Sequence, residues 1–355
     1  GPGAGVGGRR TAGGGGLVDP TTGTRGLHTI GILGRGGFGI VTLERDPATG
    51  QKFALKKVSK RHILSQDLTK AVRYERQILS MMDSPFIIRL HATFKDEAHL
   101  YFLFEPLLGG ELHKHMCREP ARFRDPRVYR FVLGCVASAL GYLHMRNVLF
   151  RDLKPENVLV DASGYLKLCD LGFAKFVLGK THSLLGTPEY MAPEVVMMTG
   201  YDRMIDWWAV GVLAFECVCG ISPFVDDDED VDPHAIFNNI VMTREREVEI
   251  PWRVERNAAD LIRSLLQFSP GNRLGMGGLS QVKSHPMFSR LDWVALESQG
   301  MRAPYVPRLR SDSEFAKTLK SKKGLLAPCD VSGPDEGSTE MVDTGSAADD
   351  WDADF

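Results

Sequence analysis

The sequence predicts an α+β molecule of two lobes: a small β-rich lobe with one main helix, then a larger helical lobe, with a tail behind them. Three observations lead there. Strand-like runs punctuated by turns fill residues 26–104, long apolar helical faces dominate 105–288, and from 289 to 355 the periodicity fades into a Pro- and charge-bearing segment. The 355 residues suffice for such a unit with tails, and 43% hydrophobic against 25% charged residues is ordinary for a chain that buries a core.

Residues 1–25, opening "GPGAGVGGRRTAGGGG", are too glycine-rich to fold alone, and the Gly-Pro start reads as a leader or the remnant of a cleaved tag. "TIGILGRGGFGIVTLERD", the turn "DPATG" and "QKFALKKVSK" read as a β-hairpin and a neighbouring strand. "DLTKAVRYERQILSMM", apolar at Leu68, Val72, Ile78, Leu79 and Met82, reads as the only helix of the small lobe. In the second lobe "RVYRFVLGCVASALGYLHMRN", "IDWWAVGVLAFECVCG" and "AADLIRSLLQF" carry long apolar faces.

Lys plus Arg total 43 against 45 Asp plus Glu, which gives no reason to expect nucleic acid as a partner. No apolar run is long enough to cross a bilayer and no signal sequence opens the chain, so a soluble, cytoplasmic protein is expected, with any membrane association left to a longer natural chain. The six cysteines are scattered without CxxC or zinc-like spacing and read as reduced, mostly buried small hydrophobes; Cys169 stands out because it precedes Asp170.

Chemistry concentrates in four places. "LGRGGFGIV" supplies Gly34, Gly36 and Gly39 between two strand-like runs, where backbone N–H groups of a hairpin can approach phosphates; a dinucleotide site would need a helix after the glycines. Lys56 on the next strand can neutralise phosphate oxygens if a carboxylate holds it, and Glu75 is the natural partner. "FRDLKPEN" brings Asp152, Lys154, Glu156 and Asn157 into one loop. Asp170 follows in "LKLCDLGFAK". Phosphoryl transfer to a hydroxyl needs a carboxylate to orient it and take its proton, a cation near the transferred group, and oxygen ligands for Mg²⁺. Asp152, Lys154, and the pair Asn157 and Asp170 fit these needs in turn.

With these motifs the chain resembles the eukaryotic protein kinases from about Gly31 onward. "APE" at Ala192 to Glu194, with Arg273 as its salt-bridge partner, and "DWW" at Asp206 to Trp208 under the catalytic loop fit the same pattern. "GTPEYMAPE", "DLKPEN" and an aromatic-bearing tail are similar to the AGC group; "PFVDDDEDVDPHAIFNNI" and the terminal "DDWDADF" resemble the catalytic domain of the cyclic-GMP-dependent protein kinases. A cyclic-AMP-dependent catalytic subunit is the alternative. A pseudokinase scaffold and a small-molecule kinase are rivals, opposed respectively by the intact Lys56, Asp152 and Asp170 and by the peptide-docking segment "GTPEYMAPE".

The resemblance implies ATP and Mg²⁺ as cofactors. The nucleotide would lie among Leu33, Gly34, Arg35, Gly36, Gly37, Phe38, Gly39, Val41, Ala54, Lys56, Leu159 and the tail residue Phe315, with backbone hydrogen bonds at Glu105 and Leu107 and Glu111 nearby; Phe104 takes the gatekeeper position. It implies a substrate Ser or Thr in an Arg/Lys-rich peptide, with Glu111, Glu156 and Glu216 facing its basic residues and Leu184, Pro188 and Met191 forming the pocket for the residue after the acceptor. Ser183 falls where AGC kinases carry an activating phosphate, with Arg151 and Lys175 as the expected cradle and Ala71 offering nothing from the small-lobe helix. Leu171 and Phe150, unusual at their positions, fall with Leu79 and Leu90 in one apolar column, where exchanges that roughly conserve volume are tolerated and activity is expected to survive. Trp351 and Phe355 are expected to anchor in an apolar groove beside the helix carrying Glu75. Cyclic-nucleotide-binding domains are expected upstream in the natural chain, and this segment is expected to be monomeric.

Overall fold

A computed structural model describes residues 26–36, 39–225, 232–320, 351–353 and 355. The leader 1–25, the acidic run 226–231 and residues 321–350 of the tail lie outside the described residues.

The small lobe is an antiparallel sheet of β1 (His28–Gly36), β2 (Gly39–Arg45), β3 (Lys52–Ser59), β4 (Leu90–Lys95) and β5 (His99–Phe104), ordered β1-β2-β3-β5-β4. Cross-strand partners in such a ladder share a face. The register Val41↔Lys56↔Phe102 and the pair Ala54↔Phe104 therefore put all five residues on the face that joins the main core. Phe53, Leu55, Phe94, Tyr101 and Leu103 cluster separately on the other face.

Between β3 and β4 stand two helices, not one: α1 (Lys60–Ser65) and α2 (Thr69–Ser80). The Ser59 hydroxyl caps α1 by accepting from His62 N at 3.4 Å, and only Ile63 of its six residues is buried. So short a helix shows no periodicity, which is why the patterning predicts α2 alone. α2 turns Val72, Glu75, Ile78 and Leu79 inward, so a carboxylate enters the core on an otherwise apolar stripe.

The large lobe is helical: α3 (Leu112–Arg118), α4 (Pro120–Phe123), α5 (Pro126–His144), α6 (Pro193–Val196), α7 (Met204–Cys219), α8 (Pro233–Met242), α9 (Arg256–Leu265), α10 (Leu279–Lys283) and α11 (Trp293–Glu297). Short strands edge it: β6 (Gly110–Glu111), β8 (Val158–Val160) and β9 (Leu166–Leu168) in the order β6-β8-β9, and β7 (Val148–Leu149) with β10 (Lys175–Phe176). Asp125 caps α5 by accepting from Arg127 N, with Pro126 at the first helical position. α7 is buried almost all round, as a helix at the centre of a core must be, and ends at Gly220 in the left-handed region. Arg273 and Glu194 form a buried two-pronged ion pair at 2.7 and 3.0 Å, the partnership that the resemblance implies.

The segment after Phe288 carries more structure than its patterning predicts. α11 packs on α5, and a further helix, α12 (Asp312–Lys320), lies along β1. Ile32 N donates to Thr318 Oγ1 at 2.8 Å, and Asp312 pairs with Lys52 at 2.6 Å and with Arg45. The C-terminal residues return to the small lobe as expected. Phe355 meets Phe102 edge-on at 5.4 Å with Arg76 of α2 over its ring, Trp351 is partly buried against the core, and Asp352 pairs with Lys60 at 2.5 Å and Lys95 at 3.0 Å.

Candidate active site

The glycine hairpin joins β1 to β2 through the pairs Gly34↔Val41, Arg35↔Ile40 and Gly36↔Gly39; Gly37 and Phe38 lie outside the described residues. Gly39 has φ 152°, and a Cβ there would sit 1.9 Å from the Lys57 carbonyl oxygen, so no other residue fits without moving β3. Leu33 and Val41 pack against the core at the mouth of the cleft, below them Ala54 pairs with Phe104 across β3 and β5, and Leu159 lies on β8. The Glu105 N–H is taken by the Arg89 carbonyl at 3.0 Å and its carboxylate by Lys167 at 2.7 Å. Pro106 has no N–H, which concentrates the exchangeable backbone groups of this connection at the Glu105 carbonyl and at Leu107. Phe315 is buried against β1, where a Cβ on Gly31 would come within 2.5 Å of its carbonyl oxygen.

Lys56 Nζ meets Glu75 Oε1 at 2.7 Å, both side chains largely buried. Burial alone would depress the ammonium, but Glu75 and Asp170 outweigh it and hold Lys56 above its ordinary value. A charged lysine is thereby fixed on the cleft face.

The loop after β7 is shaped from beneath. Asp206, 1% exposed on α7, accepts from Phe150 N at 3.0 Å, Arg151 N at 2.9 Å and His144 Nε2 at 2.7 Å. Those bonds stabilise Arg151 at φ 70°, a left-handed turn that a non-glycine residue adopts at a cost. The turn delivers Asp152, 5% exposed, to the cleft. Asn157 Nδ2 donates to Asp152 Oδ2 at 2.7 Å and Thr187 Oγ1 donates to Asp152 Oδ1 at 3.0 Å. Lys154 Nζ lies 3.1 Å from Asp152 and donates to Thr187 Oγ1 at 2.8 Å. Thr187 has no role in the sequence reading; its place directly before Pro188 in "GTPEY" is the only local signal.

Asp170 is exposed with φ 56°, and Cys169 N bonds the Asn157 carbonyl at 2.9 Å, bringing the two predicted metal ligands side by side. The Asn157 amide nitrogen is committed to Asp152, which leaves its oxygen to face a cation. Two hard oxygen donors suit Mg²⁺, which takes one or two protein ligands and completes its shell with phosphate and water. Burial pushes the Cys169 thiol far up and it bonds the Asn157 carbonyl, so it is a neutral packing group and not a thiolate.

Residues 27–288 match the family described as protein kinase domain. The chain belongs to the protein kinase family. It is 37% identical to human cGMP-dependent protein kinase 2 over 87% of its own length and 40% of that protein, and 38% identical to the Toxoplasma gondii cGMP-dependent protein kinase over 93% and 31%. It is also 37% identical to the Dictyostelium discoideum cAMP-dependent protein kinase catalytic subunit over 80% of this chain and 43% of that one. The chain thus spans well under half the length of these relatives.

Within the kinase frame, Leu79, Phe150 and Leu171 belong to the main core with Leu90 packed against it, and Phe150 and Leu171 are fully buried, so both unusual residues stay apolar and inside. The three expected substrate carboxylates are engaged by the protein itself. Glu111 pairs with Lys114 at 2.6 Å, Glu156 lies 3.7 Å from His113, and Glu216 accepts from the Tyr190 hydroxyl at 2.6 Å. Glu216, expected to face a basic residue of the substrate, thus already has a partner within the chain in Tyr190. Desolvation, strengthened by repulsion from Glu189 and Glu156, lifts Glu216 to about 7. Leu184 is exposed while Pro188 and Met191 lie on and just after the turn carrying Tyr190. Ser183 meets Arg151 Nη1 at 3.1 Å as expected, but Lys175 does not share the cradle: its ammonium donates to Thr181 Oγ1 at 3.0 Å. The Tyr201 hydroxyl instead binds the Ser183 carbonyl at 2.8 Å.

Proposed function

We propose that the chain is a serine/threonine protein kinase of the cyclic-GMP-dependent type, moving the γ-phosphoryl group of ATP to Ser or Thr in Arg/Lys-rich peptides. The observation that carries the reading is the clamp on Asp152: Asn157 holds one carboxylate oxygen, and Thr187 holds the other while tying it to Lys154. A hydroxyl entering over this loop meets an oriented carboxylate that takes its proton, beside an ammonium that offsets charge on the transferred group. Lys56, braced by Glu75, would hold phosphate oxygens from the small-lobe side, with the paired backbone of Gly34, Gly36 and Gly39 nearby on β1 and β2. Asn157 and Asp170 would hold Mg²⁺, which when bound neutralises phosphate charge. Val41, Ala54, Leu159 and Phe315 would enclose the adenine against Glu105 and Leu107.

Basic substrates follow from the carboxylates. Glu156 and Glu189 stand close enough to Glu216 to raise its proton affinity, and a guanidinium placed among them relieves that repulsion. Ser183 is the proposed activating phosphosite, since Arg151 already reaches its hydroxyl. Cyclic-nucleotide control would reside in parts of the natural protein beyond this chain, whose own activity is expected to be indifferent to cyclic GMP; a cytoplasmic, monomeric segment is the matching state. The alternative is a cyclic-AMP-type catalytic subunit, which the Dictyostelium relative represents.

The test pairs a peptide array with one variant. Arg or Lys two and three residues before the acceptor should be preferred, and Asp152→Asn should keep ATP binding while losing roughly 10²–10⁴ in turnover. A preference for acidic residues or for Pro after the acceptor would overturn the substrate class, and wild-type turnover in the variant would overturn the role of Asp152.

A further inference from the structure

At the N-terminal end of α5, among residues that take no part in the candidate active site, a cavity of about 650 Å³ is lined by Asp125, Arg127, Arg130, Glu255, Arg290 and Arg302. Four guanidinium groups face two carboxylates. Asp125 is spent on Arg127, at 2.7 and 3.2 Å. Glu255 accepts from the Tyr129 hydroxyl at 2.7 Å and stays 3.7 Å from Arg130 Nη2, outside hydrogen-bond range.

Arg130 is the telling residue, because it is only 7% exposed. Its Nε donates to the Met287 carbonyl at 2.6 Å, and among the described residues its terminal nitrogens have no hydrogen bond. Arg290 and Arg302, exposed on two other segments at the rim of the cavity, have neither hydrogen bond nor ion pair among the described residues. Glu255 gives Arg130 a counter-charge at 3.7 Å but no hydrogen bond, so the donors that Arg130 turns to the cavity are open to a further anion. The surplus of positive charge arrives from three directions around one space, which suits a compact polyanion with several acceptor oxygens better than a single carboxylate.

We propose that this cavity binds the dianionic phosphate of a phosphomonoester, gripped by Arg130, Arg290 and Arg302. The test is calorimetric titration of the chain at physiological ionic strength, its catalytic cleft filled with a nonhydrolysable ATP analogue. The probes are inorganic phosphate, a phosphoserine peptide and the same peptide without phosphate. Saturable binding of the phosphorylated probe over the bare peptide is expected. Arg290→Glu with Arg302→Glu should weaken it by about tenfold or more, and the two Arg→Lys changes severalfold through loss of the planar fork. Turnover on a basic peptide should be unchanged in both variants. Inorganic phosphate binding as tightly as the phosphopeptide would assign the site to the free ion, and tighter peptide binding to a modified polypeptide. No saturable binding by either phosphorylated probe, or binding that survives both Glu substitutions, would overturn the proposal.

Discussion

Thr187 connects the two charged groups of the catalytic loop with a single hydroxyl, accepting from Lys154 and donating to Asp152. Thr187→Val keeps the shape and removes both bonds. Hydrogen bonds to charged groups contribute about 1.5–3 kcal/mol each, so steady-state kinetics should show kcat down roughly 10- to 100-fold with the KM for ATP little changed. Glu216 gives a pH signature. Its folded value of about 7 lies above the ordinary 4.5, so between the two the native chain holds a proton that the unfolded chain has released. Stability therefore falls as pH rises through that window and stays lower above it. Glu216→Gln should be more stable than wild type at pH 8 by on the order of 1–3 kcal/mol, and no more stable at pH 4, in thermal melts. For wild type, the KM of an arginine-bearing peptide should rise as pH drops from 8 to 6, because protonation removes the charge that the guanidinium seeks.

Leu171 begins the turn after Asp170 and contacts α2, so it couples the metal-binding segment to the helix that braces Lys56. Leu171 and Phe150 are both fully buried, so a larger ring at 171 has to be accommodated inside the core. Leu171→Phe should overpack the column, lowering stability by about 1–3 kcal/mol in denaturant melts; an unchanged midpoint would show that the column is not close-packed. Elements were legible where a pattern runs long enough: β1 to β3, α2, α5 and α9 follow from alternation or a helical stripe, and α7 from its long apolar run. α1 was hidden by its single turn, and α12 because its anchors, Thr318 to Ile32 and Asp312 to Lys52, join residues remote in sequence. The site divides the same way. The pairing of Lys56 with Glu75 and the meeting of Asp152 with Asn157 were expected, the second because both lie in one short loop. The pairing of Lys175 with Thr181 and of Tyr190 with Glu216 depends on the path of the segment from 175 to 190 through space, which no spacing rule encodes.

At the scale of the molecule the chain closes on itself, since its C-terminal residues complete the small lobe. Asp352 is only 7% exposed and receives two lysines, one at the start of α1 and one at the end of β4. Removing the carboxylate leaves two partly buried ammonium groups without that shared partner. Asp352→Ala should cost about 1–3 kcal/mol and, by loosening Phe355 from Phe102 and α2, raise the KM for ATP; a melt and ATP titration indistinguishable from wild type would show the contact to be idle. This closure also sets a timetable for synthesis. Lys95 precedes Asp352 by 257 residues, and a ribosome adding about 5–20 residues per second needs roughly 13 to 50 seconds to cover that stretch. For that interval the nascent small lobe carries Phe102 without the Phe355 ring that meets it in the finished chain.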